Sequence, residues 1–300
     1  MGVFPICLGG NVFGWTADEQ QSRAVLDSYV EAGGNFVDTA NSYLVEHGRS
    51  ETILGEWMAQ RGNRDQIVLA TKVGGGRGAF RNLRAETIRS EAHASRQRLQ
   101  TDRIDLYYAH FDDRETPLEE SLRAFDALVR DGVVAHLGVS NYAPERLTEA
   151  LELQRRHGLA QFEVLQPHYN LMEREFERTL LPVADTWDLA VLPYYALAKG
   201  FLTGKYRPGD DKVQSPRAEG ARAYLDRRGA PVLEALDGVA ANHRTTVAAV
   251  ALAWLLAQSR VAAPIASART PEQLAQILPA ATLALSVDEL ARLSAASSGG

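Results

Sequence analysis

Cysteine is all but missing from this chain of 300 residues, in which Cys7 stands alone. One thiol excludes an intramolecular disulfide and any metal cluster built from cysteines, and it fits a reducing cytoplasm. No run of about 18 apolar residues occurs, so no membrane span is read. The opening Met1-Gly-Val-Phe-Pro-Ile-Cys-Leu8 has no basic region ahead of its apolar residues, as a secretion signal would. Positive charge is not in excess either: Lys plus Arg number 32 against 38 for Asp plus Glu, a formal net charge of −6. Nucleic acid and acidic membrane surfaces are therefore not expected partners, whereas a small anion in a local basic pocket is compatible with that balance. A Gly-x-Gly-x-x-Gly turn opening a helix is also lacking. The nearest run, Gly74-Gly-Gly-Arg-Gly78, follows a lysine and reads as a flexible loop.

What is present is a chain long enough, and at 45% hydrophobic residues apolar enough, to bury a full core. Apolar runs of four to six residues alternate with helical patterns, the sign of βα units and a parallel sheet. Eight strands are expected, ending near Gly9, Asp38, Lys72, His110, Ser140, Gln166, Pro193 and Ile265. Thr16-Ala-Asp-Glu19 reads as a capping box, followed by Val25, Tyr29 and Ala32 on one helical face and a stop at Gly33-Gly34. Thr116-Pro-Leu-Glu119, Thr270-Pro-Glu-Gln273 and Ser286-Val-Asp-Glu289 repeat the capping pattern. A helix from about Arg84 to Gln100 turns Ile88, Ala92, Ser95 and Leu99 inward and carries arginines read as a solvated face. Residues 206–230 are rich in Gly, Pro, Arg and Asp without periodicity, and read as a long loop or lid after strand seven. Ser294 to Gly300 should fray. No linker divides the chain, so residues 1–300 are expected to form one (β/α)8 barrel domain.

The stretch Asn35-Phe-Val-Asp38-Thr-Ala-Asn-Ser-Tyr43 puts a carboxylate at a strand tip and a phenol in the loop beyond. Lys72 ends the run Ile67-Val-Leu-Ala-Thr71, and His110 ends Ile104-Asp-Leu-Tyr-Tyr-Ala109. Three consecutive strands thus end in ionisable residues, at the mouth where parallel barrels carry their chemistry. A phenol with a pKa of about 10 donates poorly near neutrality, and a neighbouring ammonium lowers that pKa. Lys72 is the candidate ammonium, Asp38 the group that keeps it charged and aimed, and His110 the donor that orients a carbonyl oxygen. Taken singly, each also suits a structural role: an ion pair, a packed loop aromatic, a satisfied core histidine. Their convergence on three strand tips favours chemistry. A metal-hydrolase reading of Asp38, His110, Asp112 and Asp113 is weaker, because the other six histidines (His47, His93, His136, His157, His168, His243) are scattered.

On these residues the chain resembles the aldo-keto reductase superfamily. The Asp38-x4-Tyr43 spacing, Lys72 in Ala-Thr-Lys and His110 match that family's tetrad in order and context, over about Pro5 to Leu290. The resemblance implies an (α/β)8 barrel that reduces a carbonyl to an alcohol with reduced nicotinamide: Tyr43 as general acid, Lys72 and Asp38 tuning it, His110 orienting the substrate. It also implies a cofactor track. Gly10 and Asn11 after strand one belong to it, with Asp38. Ser140, Asn141 and Gln166 match the family's nicotinamide-holding positions, with side-chain amides suited to a carboxamide. Tyr194 corresponds to the aromatic that stacks on the ring. Ala196, Leu197, Lys199, Gly200 and Lys205 lie in a small-residue segment with two lysines suited to a pyrophosphate. Ser267, Arg269 and Gln273 precede or open a capped helix suited to a phosphate; by resemblance they take a 2′-phosphate, so NADP(H) is expected over NAD(H).

Departures from the family pattern carry their own expectations. Too few residues precede Ile6 for the β-hairpin that closes the barrel floor in relatives, which leaves the floor open or covered by another segment such as the C-terminus. Gln276 and Ile277 stand where the family has an acidic residue and an asparagine that contact adenine, Ser267 replaces a glycine, and Tyr195-Ala196 replaces Ser-Pro. Trp15 and Asn41 are expected to line the substrate pocket beside Tyr43, with Phe80 and the 206–230 loop as further neighbours. Trp57, Trp254 and Cys7 read as core. A small-molecule carbonyl is the expected substrate. A second reading of the same resemblance is a cofactor-binding regulatory subunit with little turnover.

Overall fold

The computed structural model describes residues 2–43, 47–76, 81–209, 215–225 and 228–298. Eight short strands, β1 Cys7–Gly9, β2 Phe36–Asp38, β3 Val68–Val73, β4 Ile104–Ala109, β5 Val134–Ser140, β6 Phe162–Gln166, β7 Ala190–Val191 and β8 Ile265–Ala266, pair in parallel in the order β7-β6-β5-β4-β3-β2-β1-β8. The two ends of that order meet. Ala262 N donates to Val191 O at 2.9 Å and Ile265 N to Pro193 O at 2.9 Å, so the sheet curls into a barrel. All eight strands end within a residue or two of the positions expected. Lys72 lies inside β3 and not at its end, and His110 follows β4, its N–H bonding Val73 O at 2.8 Å.

The helices are α1 Glu19–Glu31, α2 Arg49–Arg61, α3 Ala85–Leu99, α4 Leu118–Arg130, α5 Pro144–His157, α6 Glu175–Thr179, α7 Leu181–Trp187, α8 Ala218–Arg222, α9 Gly229–His243, α10 Val247–Leu256, α11 Pro271–Ile277 and α12 Val287–Ser297. Their buried faces follow the sequence periodicity: Val25, Leu26 and Tyr29 on α1, and Leu118, Leu122 and Phe125 on α4. Tyr29 also fixes the bottom of the barrel, its hydroxyl donating to Ile6 O at 2.6 Å. Inside the barrel Cys7, Phe36, Ala70, Leu106, Tyr108, Val164, Leu192, Ala263 and Ile265 form a cluster of their own. Burial pushes the Cys7 thiol well above its ordinary pKa, and Trp57 and Trp254 are core.

Several local expectations are corrected. The first capping box belongs to Asp18 and Gln21 and not to Thr16 and Glu19, because Ala17 and Thr16 bond back to Val12 in a tight turn. Thr116 caps nothing: its hydroxyl donates to Asp113 at 2.6 Å. Thr270 does cap α11, but Gln273 answers Arg269 N and not Thr270 N. Ser286 and Glu289 form the reciprocal box as expected. On α3, Arg98 is not a solvated arginine, since its guanidinium bonds the buried Glu51 at 2.6 Å. Residues 206–230 are not structureless, because α8 and the start of α9 lie within them. Ser294 does not fray: its hydroxyl accepts from the Trp254 indole at 3.0 Å.

No strand occurs among residues 2–6, so the expected lack of a hairpin before Ile6 holds for the described residues. Val3 packs against the inner cluster beside Val68 and Ala190. The C-terminal α12 does not take that place. It lies against α9, where His243 meets Glu289 at 2.9 Å.

Candidate functional site

The mouth of the barrel gathers the side chains that the strand ends present. Lys72 and Asp38 come from neighbouring strands in register, Asp38 opposite Ala70, so both point into the same space two residues apart along β3. Lys72 Nζ donates to Asp38 Oδ2 at 2.5 Å, to Thr39 O at 2.7 Å and to Tyr43 Oη at 2.9 Å, which uses all three of its protons. Tyr43 donates to the same Asp38 Oδ2 at 2.9 Å, and Gln166 Nε2 donates to the other oxygen, Oδ1, at 2.9 Å. Lys72 and Asp38 are buried, Tyr43 half-buried. The pair satisfies the condition for burying two charges, namely close contact and a partner for each remaining lone pair or proton.

This environment alters the acidity expected of Tyr43. Burial first, then the Asp38 charge and the hydrogen bond to it, hold the phenol well above its ordinary value, against the expectation that Lys72 would leave it more acidic. The ground-state phenol is thus held protonated, and the ammonium is set to stabilise the phenolate once the proton has left. Lys72 itself is pulled below its ordinary pKa by burial, a pull that Asp38 opposes.

His110 sits with its ring 6.3 Å from that of Tyr43, edge to face, and stacked on Phe111 at 4.8 Å. Burial, and then the Lys72 charge, take its pKa from 6.5 down to about 3, so the imidazole is neutral near pH 7. Ser42 Oγ lies 3.4 Å from Nδ1. Behind them is a residue that sequence reasoning passed over as loop. A Cβ at Gly75 would stand 2.2 Å from His110 Nδ1 and 2.5 Å from Ser42 Oγ, so only glycine lets this backbone approach the imidazole.

These groups open onto a cleft of about 630 Å³. Its wall brings together Asn11, Trp15, Asp38, Tyr43, His110, Ser140, Asn141, Gln166, Tyr194, Ala196, Leu197, Lys199, Gly200, Lys205, Ser267, Arg269 and Gln273. Asn141 is engaged at both ends of its amide, donating to His110 O and accepting from the Tyr194 hydroxyl, each at 2.9 Å. Tyr194 stacks on His168 at 5.3 Å on one side. Ser267 donates to Asn11 Oδ1 at 2.6 Å, which ties the first loop to the last. Gln276 and Ile277 also line the wall.

Two expected residues are not on this wall and one lies outside the described residues. Asn41 is fully buried and turned away, donating to Glu91 of α3 at 2.7 Å. Gly10 serves the turn, its carbonyl accepting from Ser50 at 2.8 Å, while Gly9 faces the cleft in its place. Phe80 is the residue outside. Unanticipated wall residues include Phe111 and Tyr195, while Ser215, Pro216 and Arg217 bring the 206–230 segment to the wall as expected. The sequence placed the loop there but did not single out Arg217 within it. Of the rival metal set, Asp112 is paired with Arg146 and Arg114, and Asp113 accepts from Leu83 N and Thr116. Among the described residues no group of three or more His, Cys, Asp or Glu could hold a metal ion.

The far end of the cleft is cationic. Lys199, Lys205, Arg217 and Arg269 all face it, and none makes an ion pair among the described residues. Burial, then Arg269 and Arg217 nearby, depress Lys205.

An eight-stranded parallel barrel with a buried Lys–Asp–Tyr cluster at its mouth and a neutral histidine beside it defines a class of barrel oxidoreductase. The family model described as aldo/keto reductase family matches residues 5–298. Norsolorinic acid reductase of Aspergillus flavus is 34% identical over 304 residues, covering 96% of this chain and 76% of the relative. Aldo-keto reductase ausK of Aspergillus calidoustus is 36% identical, covering 96% and 77%. Aryl-alcohol dehydrogenase GME11368 of Pestalotiopsis microspora is 30% identical, with the same two coverages. The chain belongs to the aldo/keto reductase family. It is an oxidoreductase that acts on carbonyl compounds. Among the described residues no helix is long and apolar enough to cross a membrane.

Proposed function

We propose that this protein reduces an aldehyde or ketone to an alcohol with NADPH, Tyr43 donating the proton. The observation that carries the reading is the bonding around one phenol: Tyr43 Oη lies 2.9 Å from both the ammonium of Lys72 and the carboxylate of Asp38. When bound, the nicotinamide supplies the hydride. The chain's own residues supply the rest.

Tyr43, protonated at rest, turns its O–H from Asp38 to the carbonyl oxygen and transfers the proton as negative charge develops there. Lys72 keeps its hydrogen bond to the phenolate that remains, and Asp38, held by Gln166 on its other side, keeps Lys72 in place. His110, neutral, donates to the same carbonyl oxygen and fixes its direction. Burial of the cluster strengthens each of these interactions over its value in water.

The donor set fits the cofactor. Ser140, Asn141 and Gln166, already tied to one another and to His110, Tyr194 and Asp38, would meet a carboxamide with the hydrogen-bonding capacity those contacts leave, and Tyr194 would offer a ring face. Lys199 and Lys205 would take the pyrophosphate, and Arg269 with Ser267 the 2′-phosphate, which favours NADP(H) over NAD(H). We read the chain as one barrel domain and, from its lone buried thiol, as a cytoplasmic one. The test is steady consumption of NADPH with a panel of aldehydes and ketones. Binding of NADPH without turnover on any of them would overturn the reading.

A further inference from the structure

The loop that carries Tyr43, between β2 and α2, is tied down from behind the barrel by one carboxylate. Glu91 of α3 is buried, and its Oε2 accepts from Asn41 Nδ2 at 2.7 Å and lies 3.1 Å from His47 Nε2. Asn41 stands just before Tyr43 in the chain and His47 just after it, so the two contacts bracket the phenol. The loop also closes on itself, Gly48 N donating to Asn41 O at 2.7 Å. Gly48 has a φ of 78°, and a Cβ there would stand 2.2 Å from Arg98 Cδ, so only glycine lets the loop settle onto this arginine.

The same arginine couples Glu91 to a second buried carboxylate. Arg98 Nε donates to Glu51 Oε2 at 2.6 Å, Glu51 Oε1 accepts from Thr71 Oγ1 at 2.5 Å, and Arg98 Nη2 lies 3.7 Å from Glu91 Oε2. Thr71 precedes Lys72 on β3, so the network runs from the strand of the ammonium to the loop of the phenol. None of these side chains lines the cleft. Asn41 is fully buried, yet its Oδ1 has no hydrogen-bond partner among the described residues. An orphaned buried acceptor destabilises a fold, so stability alone does not account for an amide at this place.

We infer that Glu91 is a positioning residue for the reaction: through Asn41 and His47 it fixes the loop so that the Tyr43 hydroxyl reaches the carbonyl oxygen. The inference rests on the proposed role of Tyr43 as proton donor and names what aims it. At rest Asp38 holds the hydroxyl, with Lys72 on its other side. When the O–H turns to the substrate the bond to Asp38 is given up, and the place of the ring then depends on Lys72 and on the loop that carries it. A misplacement of about 1 Å in such a group can cost roughly 10²-fold in rate.

The test combines kinetics with hydrogen exchange on the full chain. With NADPH and benzaldehyde, Glu91→Ala and Asn41→Ala should each lower kcat roughly 10- to 10²-fold, the scale of a misplaced catalytic group, and leave the NADPH Kd near its wild-type value. The solvent deuterium isotope effect on kcat should rise in both, since a misplaced phenol slows the proton transfer. Glu91→Gln, whose amide oxygen still accepts from Asn41, should recover part of the loss. On a Tyr43→Phe background Glu91→Ala should cost almost nothing further, because it acts through the phenol. An unchanged kcat, additive losses, or a fall in kcat matched by a fall in NADPH affinity overturns the inference and makes Glu91 a general support of the fold. In hydrogen exchange Glu91→Ala should lose protection at the Gly48 amide, with the β3 and β4 amides unchanged. Full protection at Gly48 overturns the inference as well. Absence of turnover with benzaldehyde, or an unchanged rate in Tyr43→Phe, counts against the reductase reading, while the exchange experiment still decides whether Glu91 holds the loop.

Discussion

The acid end of the cleft and its cationic end are built on opposite principles. At the acid end the buried charges find their partners within the protein: Lys72 has three acceptors and Asp38 three donors. At the other end Lys205, Arg217 and Arg269 repel one another, Lys199 lines the same cleft, and none of the four makes an ion pair among the described residues. A self-satisfied buried cluster keeps its geometry whether or not a ligand is present, which preorganises proton transfer. A group of unpaired cations is incomplete until an anion arrives, and its form is suited to binding. The contrast separates catalysis from affinity, and each end can be broken alone.

The largest effect belongs to the acid end. Tyr43→Phe should lower kcat by about 10²–10⁴-fold, the usual contribution of a general acid. NADPH titration should give nearly the wild-type Kd, and a matching loss of affinity would show that the two ends are not separable. Next comes Gly75→Ala. Its methyl would meet His110 Nδ1 at 2.2 Å. Displacing His110 should cost roughly 10²-fold in kcat/KM by misplacing the carbonyl. Steady-state kinetics within a few-fold of wild type would mean that His110 does not orient the substrate.

Arg269→Ala tests the other end. Removing a charge-assisted contact to phosphate costs about 1.5–3 kcal/mol, roughly 10- to 150-fold in Kd. That loss should appear for NADPH and far less for NADH, with kcat at saturation retained. Equal losses for both cofactors would count against a 2′-phosphate site. The last effect is on stability against pH and leaves activity near neutrality untouched. The folded-state pKa of His110, about 3, lies below its ordinary 6.5, so between those values the unfolded chain binds a proton that the folded one refuses. Stability is therefore lost as pH falls from 6.5 toward 3 and is unaffected by this group above 6.5. Urea unfolding of wild type and His110→Gln at pH 7 and pH 4 should show the smaller drop in the variant. Identical drops would place a charged His110 in the fold.

The strands and the acid cluster were legible because each functional residue sits at the end of an apolar run, where periodicity and chemistry mark the same position. Lys72 illustrates the limit of that signal: it lies within β3, and the run before it shows only that a strand is near. Asn41 was misplaced because sequence does not say which way a loop side chain turns, and here the buried Glu91 on α3 claims its amide. The phenol's acidity was read with the wrong sign because proximity to Lys72 is visible in the spacing, whereas burial and the shared Asp38 oxygen are not. Thr16 and Thr116 failed as caps for a related reason: short hydrogen-bonded turns and a competing carboxylate occupy the backbone and hydroxyl that a capping box requires. Gly75 and Arg217 approach His110 and Trp15 across the fold, which no local pattern records.

The central claim is that one cleft holds its cofactor with the reactive ring at the acid end and the phosphates at the cationic end. A crystal structure of the NADPH complex tests it most directly. The account predicts the nicotinamide C4 beside Tyr43 Oη and His110, and the 2′-phosphate on Arg269. A cofactor bound in the reverse direction, or one whose nicotinamide lies away from Tyr43, would contradict it.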